Sequence, residues 1–141
     1  MKDVKINIES TVEELDDAGL TESSEKTEST ASGRIEKDEN KIKLSYSETA
    51  EGVTTATLIT VSESEVSVRR EGGVEYEFIF REGESTSSLY CVPPYSFDTE
   101  IYTRKIRSSL CDESGEISLI YDMTIGGAKK RTRMKIKVTR K

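Results

Sequence analysis

Hydrophobic and polar residues alternate along most of this chain, and the pattern is clearest between the glycines at positions 115 and 126. Every second position of that stretch is apolar: Ile117, Leu119, Tyr121, Met123 and Ile125. Polar residues fill most of the positions between them. Because successive side chains of a β-strand point to opposite faces, this stretch is predicted to be a strand with one apolar face and one mostly solvent-facing side.

Weaker versions of the same alternation recur along the chain and predict about ten short strands. Turn signals separate them, such as Glu71-Gly72-Gly73, where glycine reaches positive φ without steric cost. Gly33 falls inside a long predicted strand and indicates a bend or bulge there. Besides the stretch above, the predicted strands are Val4–Val12, Thr21–Lys37, Ile42–Tyr46, Val53–Val61, Val66–Val68, Tyr76–Phe80, Ser85–Val92, Tyr95–Leu110 and Met134–Val138.

Short connections between these strands favour an antiparallel meander. A meander with one apolar face can close on itself and lose its exposed edges, so the predicted fold is an all-β, closed, antiparallel up-and-down β-barrel formed by residues 1–141 as one domain. A two-sheet sandwich is the alternative. If the first and last strands pair to close the barrel, acidic residues such as Glu9 and Glu13 would face basic residues such as Lys135.

The apolar phase changes inside the predicted strand Tyr95–Leu110. Tyr95, Phe97 and Ile101 share one phase, whereas Tyr102 and Ile106 share the other. A β-bulge near Ile101–Tyr102 would produce this change. It would also place Arg104 on the inward, apolar face.

Composition sets further bounds. Hydrophobic residues make up 33% of the chain and charged residues 34%, a balance typical of disorder, but disordered chains have no reason to keep a period of two. The net charge of −6 predicts no general attraction to nucleic acid or anionic membranes. The start of the chain has no apolar signal segment, so a cytoplasmic location is expected. Cys91 and Cys111 are then predicted to be reduced and structural.

Candidate chemistry is sparse. The chain has no histidine, which excludes Ser-His-Asp systems and the usual zinc sites. The acidic pairs Asp16-Asp17 and Asp112-Glu113 fall in predicted turns, where solvated charges are the simpler interpretation. The basic residues of 129–137 are interpreted as the solvent-facing side of the last strand rather than as a nucleic-acid patch. We therefore predict no enzymatic activity, no cofactor and no metal.

Four stretches resemble the YwiB-like uncharacterised β-barrel proteins of Gram-positive bacteria: residues 41–46, 60–66, 102–110 and 115–123. The order and spacing of these stretches carry the resemblance. It implies a small cytosolic barrel, similar in fold to the calycins (the lipocalin and fatty-acid-binding group), with no assigned activity and no known functional residues. Pro93-Pro94 departs from the single proline of that pattern and leaves the shape of its turn open.

Barrels of eight to ten strands often enclose room for one small ligand. The aromatic side chains of the apolar phases, with the arginine of the bulge, are therefore candidate lining residues for a small apolar or anionic molecule. They are Tyr46, Tyr76, Phe78, Tyr95, Phe97, Arg104, Tyr121 and Met123. In the alternative, aromatic side chains fill the interior, Arg104 lies at the rim and the barrel is a protein-interaction or structural module.

Overall fold

Ten antiparallel strands make up the regular structure of this protein in the computed structural model, which describes residues 2–16, 18, 20–111 and 114–141, without the side chain of Glu22. The strands are β1 (Lys2–Leu15), β2 (Thr21–Asp38), β3 (Lys41–Ala50), β4 (Val53–Val61), β5 (Val66–Glu71), β6 (Tyr76–Phe80), β7 (Ser85–Val92), β8 (Tyr95–Ser108), β9 (Gly115–Ile125) and β10 (Ala128–Arg140). The acidic turn residues Asp17, Asp112 and Glu113 lie outside the described residues.

The strands form one sheet in the order β6-β5-β4-β3-β2-β1-β10-β9-β8-β7. The predicted pairing of the first and last strands is confirmed, since β1 lies antiparallel to β10. Glu9 is opposite Lys135 in this ladder, and Arg133 forms an ion pair with Glu13. Opposite charges therefore face each other across the junction that the sequence predicts.

The β1–β10 ladder lies inside the sheet, whereas β6 and β7 are its two edge strands. The sheet closes into a nearly complete barrel where these two edges meet. One backbone bridge, between Glu75 and Cys91, joins this seam among the described residues. Two hydroxyl groups provide further hydrogen bonds: Thr86 donates to the carbonyl oxygen of Ile79, and Ser88 to that of Glu77, both at 2.6 Å. Hydrogen bonds from side chains therefore help to join β6 and β7 at this seam, whereas backbone ladders join the other neighbouring strands.

One end of the barrel interior is filled by aliphatic and aromatic side chains from nearly every strand. We call this the filled end. Its buried residues include Val4, Ile35, Leu44, Val66, Phe80, Ile117 and Val138. The strand register places the hairpin turns at residues 51–52, 93–94 and 126–127 at the opposite end, which we call the open end.

Strand β8 contains the predicted bulge, but at a different position. The register with β9 shifts between Thr103 and Lys105, so Arg104 is the extra residue. Thr103 is buried and Tyr102 is exposed, whereas the prediction placed Tyr102 on the same inward face as Ile106. The strand therefore contains a bulge as predicted, but the bulge is at Arg104 and not near Ile101–Tyr102.

Strand β2 pairs with β1 from Thr21 to Ile35, but with β3 only from Gly33 onwards. A Cβ atom at Gly33 would overlap the carbonyl oxygen of Ser45 and lie 2.6 Å from the Cδ1 atom of Ile6. Glycine is therefore required where β2 and β3 come together. Beyond this point β2 and β3 separate, so residues 21–32 of β2 have a backbone ladder on one side.

Candidate functional site

A cavity of about 220 Å³ lies inside the barrel towards its open end. Apolar and aromatic side chains form most of its wall. Examples are Ile8, Tyr46, Ile59, Tyr76, Phe78 and Tyr121. Ser29, Glu48 and Arg70 contribute polar groups. A mainly apolar concave wall with a few polar groups is typical of small-molecule sites.

Strand register brings the polar part of this wall together. Tyr46 on β3 is opposite Thr57 on β4, Thr57 is opposite Arg70 on β5, and Arg70 is opposite Tyr76 on β6. Directly opposed residues of antiparallel strands share a face, so these four side chains form one row across the wall. The row continues over the seam, because the rings of Tyr76 and Tyr90 stack with centroids 5.5 Å apart.

Arg70 is the charged group of this row. Its Nε atom is buried and has no hydrogen-bond partner among the described residues. Burial alone would lower the pKa of Arg70, but Tyr76, by its charge and by a side-chain hydrogen bond, together with the charges of Tyr46 and Glu48, outweighs burial and raises the pKa. The guanidinium is therefore charged, and a buried unpaired donor of this kind costs free energy unless something accepts its hydrogen bond.

The other titratable groups around the cavity do not neutralise the charge of Arg70 by forming an ion pair with it. Glu48 also lines the cavity, but forms no ion pair with Arg70 among the described side chains. Burial raises the pKa of Tyr46, Tyr76 and Tyr121, so all three phenols are neutral near pH 7. The arrangement can thus offer a positive charge next to flat apolar surfaces.

Four of the eight predicted lining residues border the cavity, namely Tyr46, Tyr76, Phe78 and Tyr121. Phe78 contacts Tyr76 in a stack with centroids 4.0 Å apart. Met123 is partly buried and packs against the core, but does not border the cavity.

The prediction that Tyr95 and Phe97 line the interior is wrong. They have the same phase as the buried Thr99 and Ile101, but their side chains are 67% and 42% exposed. The ladder between β8 and β9 ends at Thr99, so the tip of the β7–β8 hairpin projects past the barrel wall.

The prediction that Arg104 faces the interior is also wrong. The bulge at this residue turns its side chain outward, where its Nε atom donates to Asp122 at 2.7 Å. Arg131 donates to the other carboxylate oxygen of Asp122 at 2.8 Å. Arg104 therefore belongs to a surface ion-pair network that spans β8, β9 and β10.

The inward cation is Arg70, which the sequence-based prediction missed. The signal was present, because Val66, Val68 and Arg70 occupy alternate positions. The charge of Arg70 and the adjacent Glu71-Gly72-Gly73 turn made the strand look shorter than it is. Glu48 continues the phase of Leu44 and Tyr46 in the same way.

The described residues contain no helix long and apolar enough to cross a membrane. Within the same residues, no three Cys, Asp or Glu side chains are grouped so that they could hold a metal ion.

The fold and cavity define a small antiparallel β-barrel with an internal cavity. The family model described as "Domain of unknown function (DUF1934)" matches residues 6–137, so the chain belongs to this family. The resemblance to YwiB-like proteins is confirmed: the chain is 38% identical over 88 residues to the "Uncharacterized beta-barrel protein YwiB" of Bacillus subtilis (strain 168). That match covers 62% of this chain and 62% of the relative's own length.

The fold comparison extends further. The structure is similar to the crystal structure of ywiB protein from Bacillus subtilis, with a TM-score of 0.87 and 30% sequence identity. The match covers 99% of this chain and 92% of the other. The all-β barrel is thus confirmed, whereas the relation to the calycins stays a prediction.

Proposed function

We propose that this protein binds a small, mainly apolar anion in the cavity at the open end of the barrel. The observation that carries the proposal is the buried Nε atom of Arg70, which lines the cavity and lacks a hydrogen-bond partner among the described residues. An anionic oxygen would satisfy this donor and neutralise the charge. Charge-assisted hydrogen bonds of this kind are among the stronger ones in proteins.

The dimensions of the cavity limit the ligand. The cavity volume of about 220 Å³ is below the usual range of small-molecule pockets, about 300–1,000 Å³. It therefore favours a compact molecule over the long tail of a fatty acid. The rings of Tyr46, Tyr76 and Phe78 favour a flat apolar body beside the anionic group.

The proposed function is binding without catalysis. Glu48 is the one carboxylate that lines the cavity in the described part of the chain, and paired carboxylates are the usual means of acid–base chemistry in a site without histidine. A cytoplasmic location belongs to the same proposal. So does the lack of a nucleic-acid or membrane partner, which the net charge of −6 favours.

Isothermal titration with benzoate, a compact aromatic anion, tests the proposal. We expect saturable binding of one benzoate per chain to the wild type. Arg70→Gln should weaken it roughly ten- to hundredfold, because a hydrogen bond to a charged group is lost. Arg70→Lys should recover part of the affinity, since lysine keeps the charge but not the planar fork of donors.

Arg69→Gln is the matched control, because Arg69 is the next residue on β5, is exposed and pairs with Glu71. It removes the same charge from the outer face and should leave benzoate affinity unchanged. Equal losses from both variants would reduce the effect to overall charge and contradict a site at Arg70. If neither benzoate nor short aliphatic carboxylates bind the wild type, the alternative of a filled barrel that acts as an interaction or structural module is favoured.

A further inference from the structure

The outer half of β2 forms an unpaired sheet edge. Residues 21–32 pair with β1 on one side, whereas the ladder to β3 begins only at Gly33. Every described side chain from Thr21 to Thr30 is exposed. Unpaired backbone N–H and C=O groups along such a length are a template for another strand.

The side chains of this edge are compatible with a second copy of the same edge. In an antiparallel pair centred on Thr27, Lys26 of each chain lies opposite Glu28 of the other. Further along, Glu25 faces Ser29, and Ser24 faces Thr30. No like charges are opposed between Ser23 and Ala31, and two opposite-charge pairs flank the centre.

The faces of the two sheets also match in this register. Ser29 lines the cavity, so Thr27 and Ser29 point inward, whereas Lys26 and Glu28 point outward. Pairing about Thr27 joins inward residues to inward residues, and therefore extends the sheet with its two faces preserved. A shift of the centre to Glu25 would oppose Glu25 to itself, so charge selects against that register.

We propose that two copies of this protein associate through the free edges of β2, in an antiparallel, two-fold symmetric pair centred on Thr27. Its contacts are backbone hydrogen bonds and the outward Lys26–Glu28 pairs, although Ser29 of the same edge also lines the ligand cavity. It is an isologous interface, in which the same patch serves both subunits. The edge strand provides main-chain hydrogen bonds, and the charges set the register.

Charge reversal and restoration test this arrangement. Sedimentation velocity over a concentration series should show a reversible monomer–dimer equilibrium for the wild type. Lys26→Glu replaces two opposite-charge pairs with two like-charge pairs, and should raise the dissociation constant about tenfold or more. Combining it with Glu28→Lys exchanges the two charges and should restore the dimer.

Lys105→Glu is the matched control, since it changes the net charge equally at an exposed position of β8. It should leave the equilibrium unchanged. Hydrogen–deuterium exchange gives a second readout, in which amides of residues 21–32 become protected as the wild type dimerises but not in Lys26→Glu. A wild type that stays monomeric throughout, or a dimer that Lys26→Glu does not weaken, overturns the proposal, and thermal melts confirm that each variant is folded.

Discussion

The guanidinium carbon of Arg70 lies 5.9 Å from the centroid of the Tyr76 ring, directly across the β5–β6 ladder. This cation–π contact holds the arginine against the cavity wall. It leaves the Nε atom of Arg70 without a partner among the described residues. An arginine oriented by a ring but not by a carboxylate remains available to an anion.

Arg70 is expected to lower the free energy of unfolding of the ligand-free protein, although it strengthens the proposed binding of an anion. Arg70→Met keeps an unbranched apolar side chain in the wall and removes the buried unpaired donor, so we expect the free energy of unfolding to rise by about 1 kcal/mol. Chemical denaturation without ligand measures this difference. Arg69→Met, on the exposed face, should change stability by less than about 0.5 kcal/mol. A clear loss of stability in Arg70→Met would show that the arginine is paired in solution.

Tyr76 should contribute to stability through its stacked neighbours. Its ring lies 4.0 Å from that of Phe78 and 5.5 Å from that of Tyr90, measured between centroids. Tyr76→Leu removes both contacts and should lower the free energy of unfolding by about 2 kcal/mol. Tyr95→Leu is the comparison, because Tyr95 is exposed and its loss should cost less than about 0.5 kcal/mol. Similar losses in thermal or urea unfolding would mean that the hairpin tip packs onto the barrel.

Asp122 should make stability depend on pH. Burial alone would raise the pKa of this carboxyl, but hydrogen bonds from Arg131 and Arg104 outweigh burial and lower the pKa. The stabilisation is complete above the ordinary carboxyl pKa and is lost as pH falls through the depressed value in the folded protein.

Asp122→Asn should therefore cost about 1 kcal/mol near pH 7, a value reduced by partial solvent exposure. The difference from the wild type should shrink towards zero in strong acid. Urea unfolding at several pH values measures it. Asp98→Asn is the control, because it removes an exposed carboxylate with no ion pair among the described residues and should change stability by less than about 0.5 kcal/mol near pH 7. A constant difference between wild type and Asp122→Asn at all pH values would contradict the role of the two arginines.

The β6–β7 seam should be the first part of the barrel to open. Ser88→Ala removes the hydroxyl that donates to Glu77 and should cost about 1 kcal/mol. We expect faster hydrogen exchange of β6 amides in this variant, ahead of those in β1 and β10. Ser87→Ala, one position along on the exposed face of β7, should leave exchange unchanged. Uniform acceleration in every strand would instead indicate global destabilisation.

Most of the architecture could be predicted from the sequence, because burial of one sheet face imposes a period of two. Ile117, Leu119 and Tyr121 are buried as the alternation predicts. Charge added long-range information, since the acidic first strand and basic last strand face each other. These features depend on local pattern and on bulk charge, which a single sequence displays directly.

The candidate site was harder to predict, because periodicity gives the face of a residue but not its depth. Tyr95 and Phe97 have the inward phase yet lie past the end of the β8–β9 ladder. The face on which the side chain of Arg104 lies depends on which residue forms the bulge in β8. Moving the bulge by two positions transfers this side chain from the inner to the outer face. Arg70 has the inward phase of β5, but a charged residue beside a glycine turn is normally interpreted as exposed.

The pairing of β1 with β10 has a consequence for how the chain folds. It joins strands from opposite ends of the sequence, so its formation carries a larger loop-closure entropy than any hairpin in the barrel. Hairpins such as β1–β2 and β3–β4 can form early, whereas the β1–β10 ladder must wait until the last strand of the barrel is synthesised. Refolding should therefore be slow for a protein of this size, with closure of the β1–β10 ladder as the limiting step.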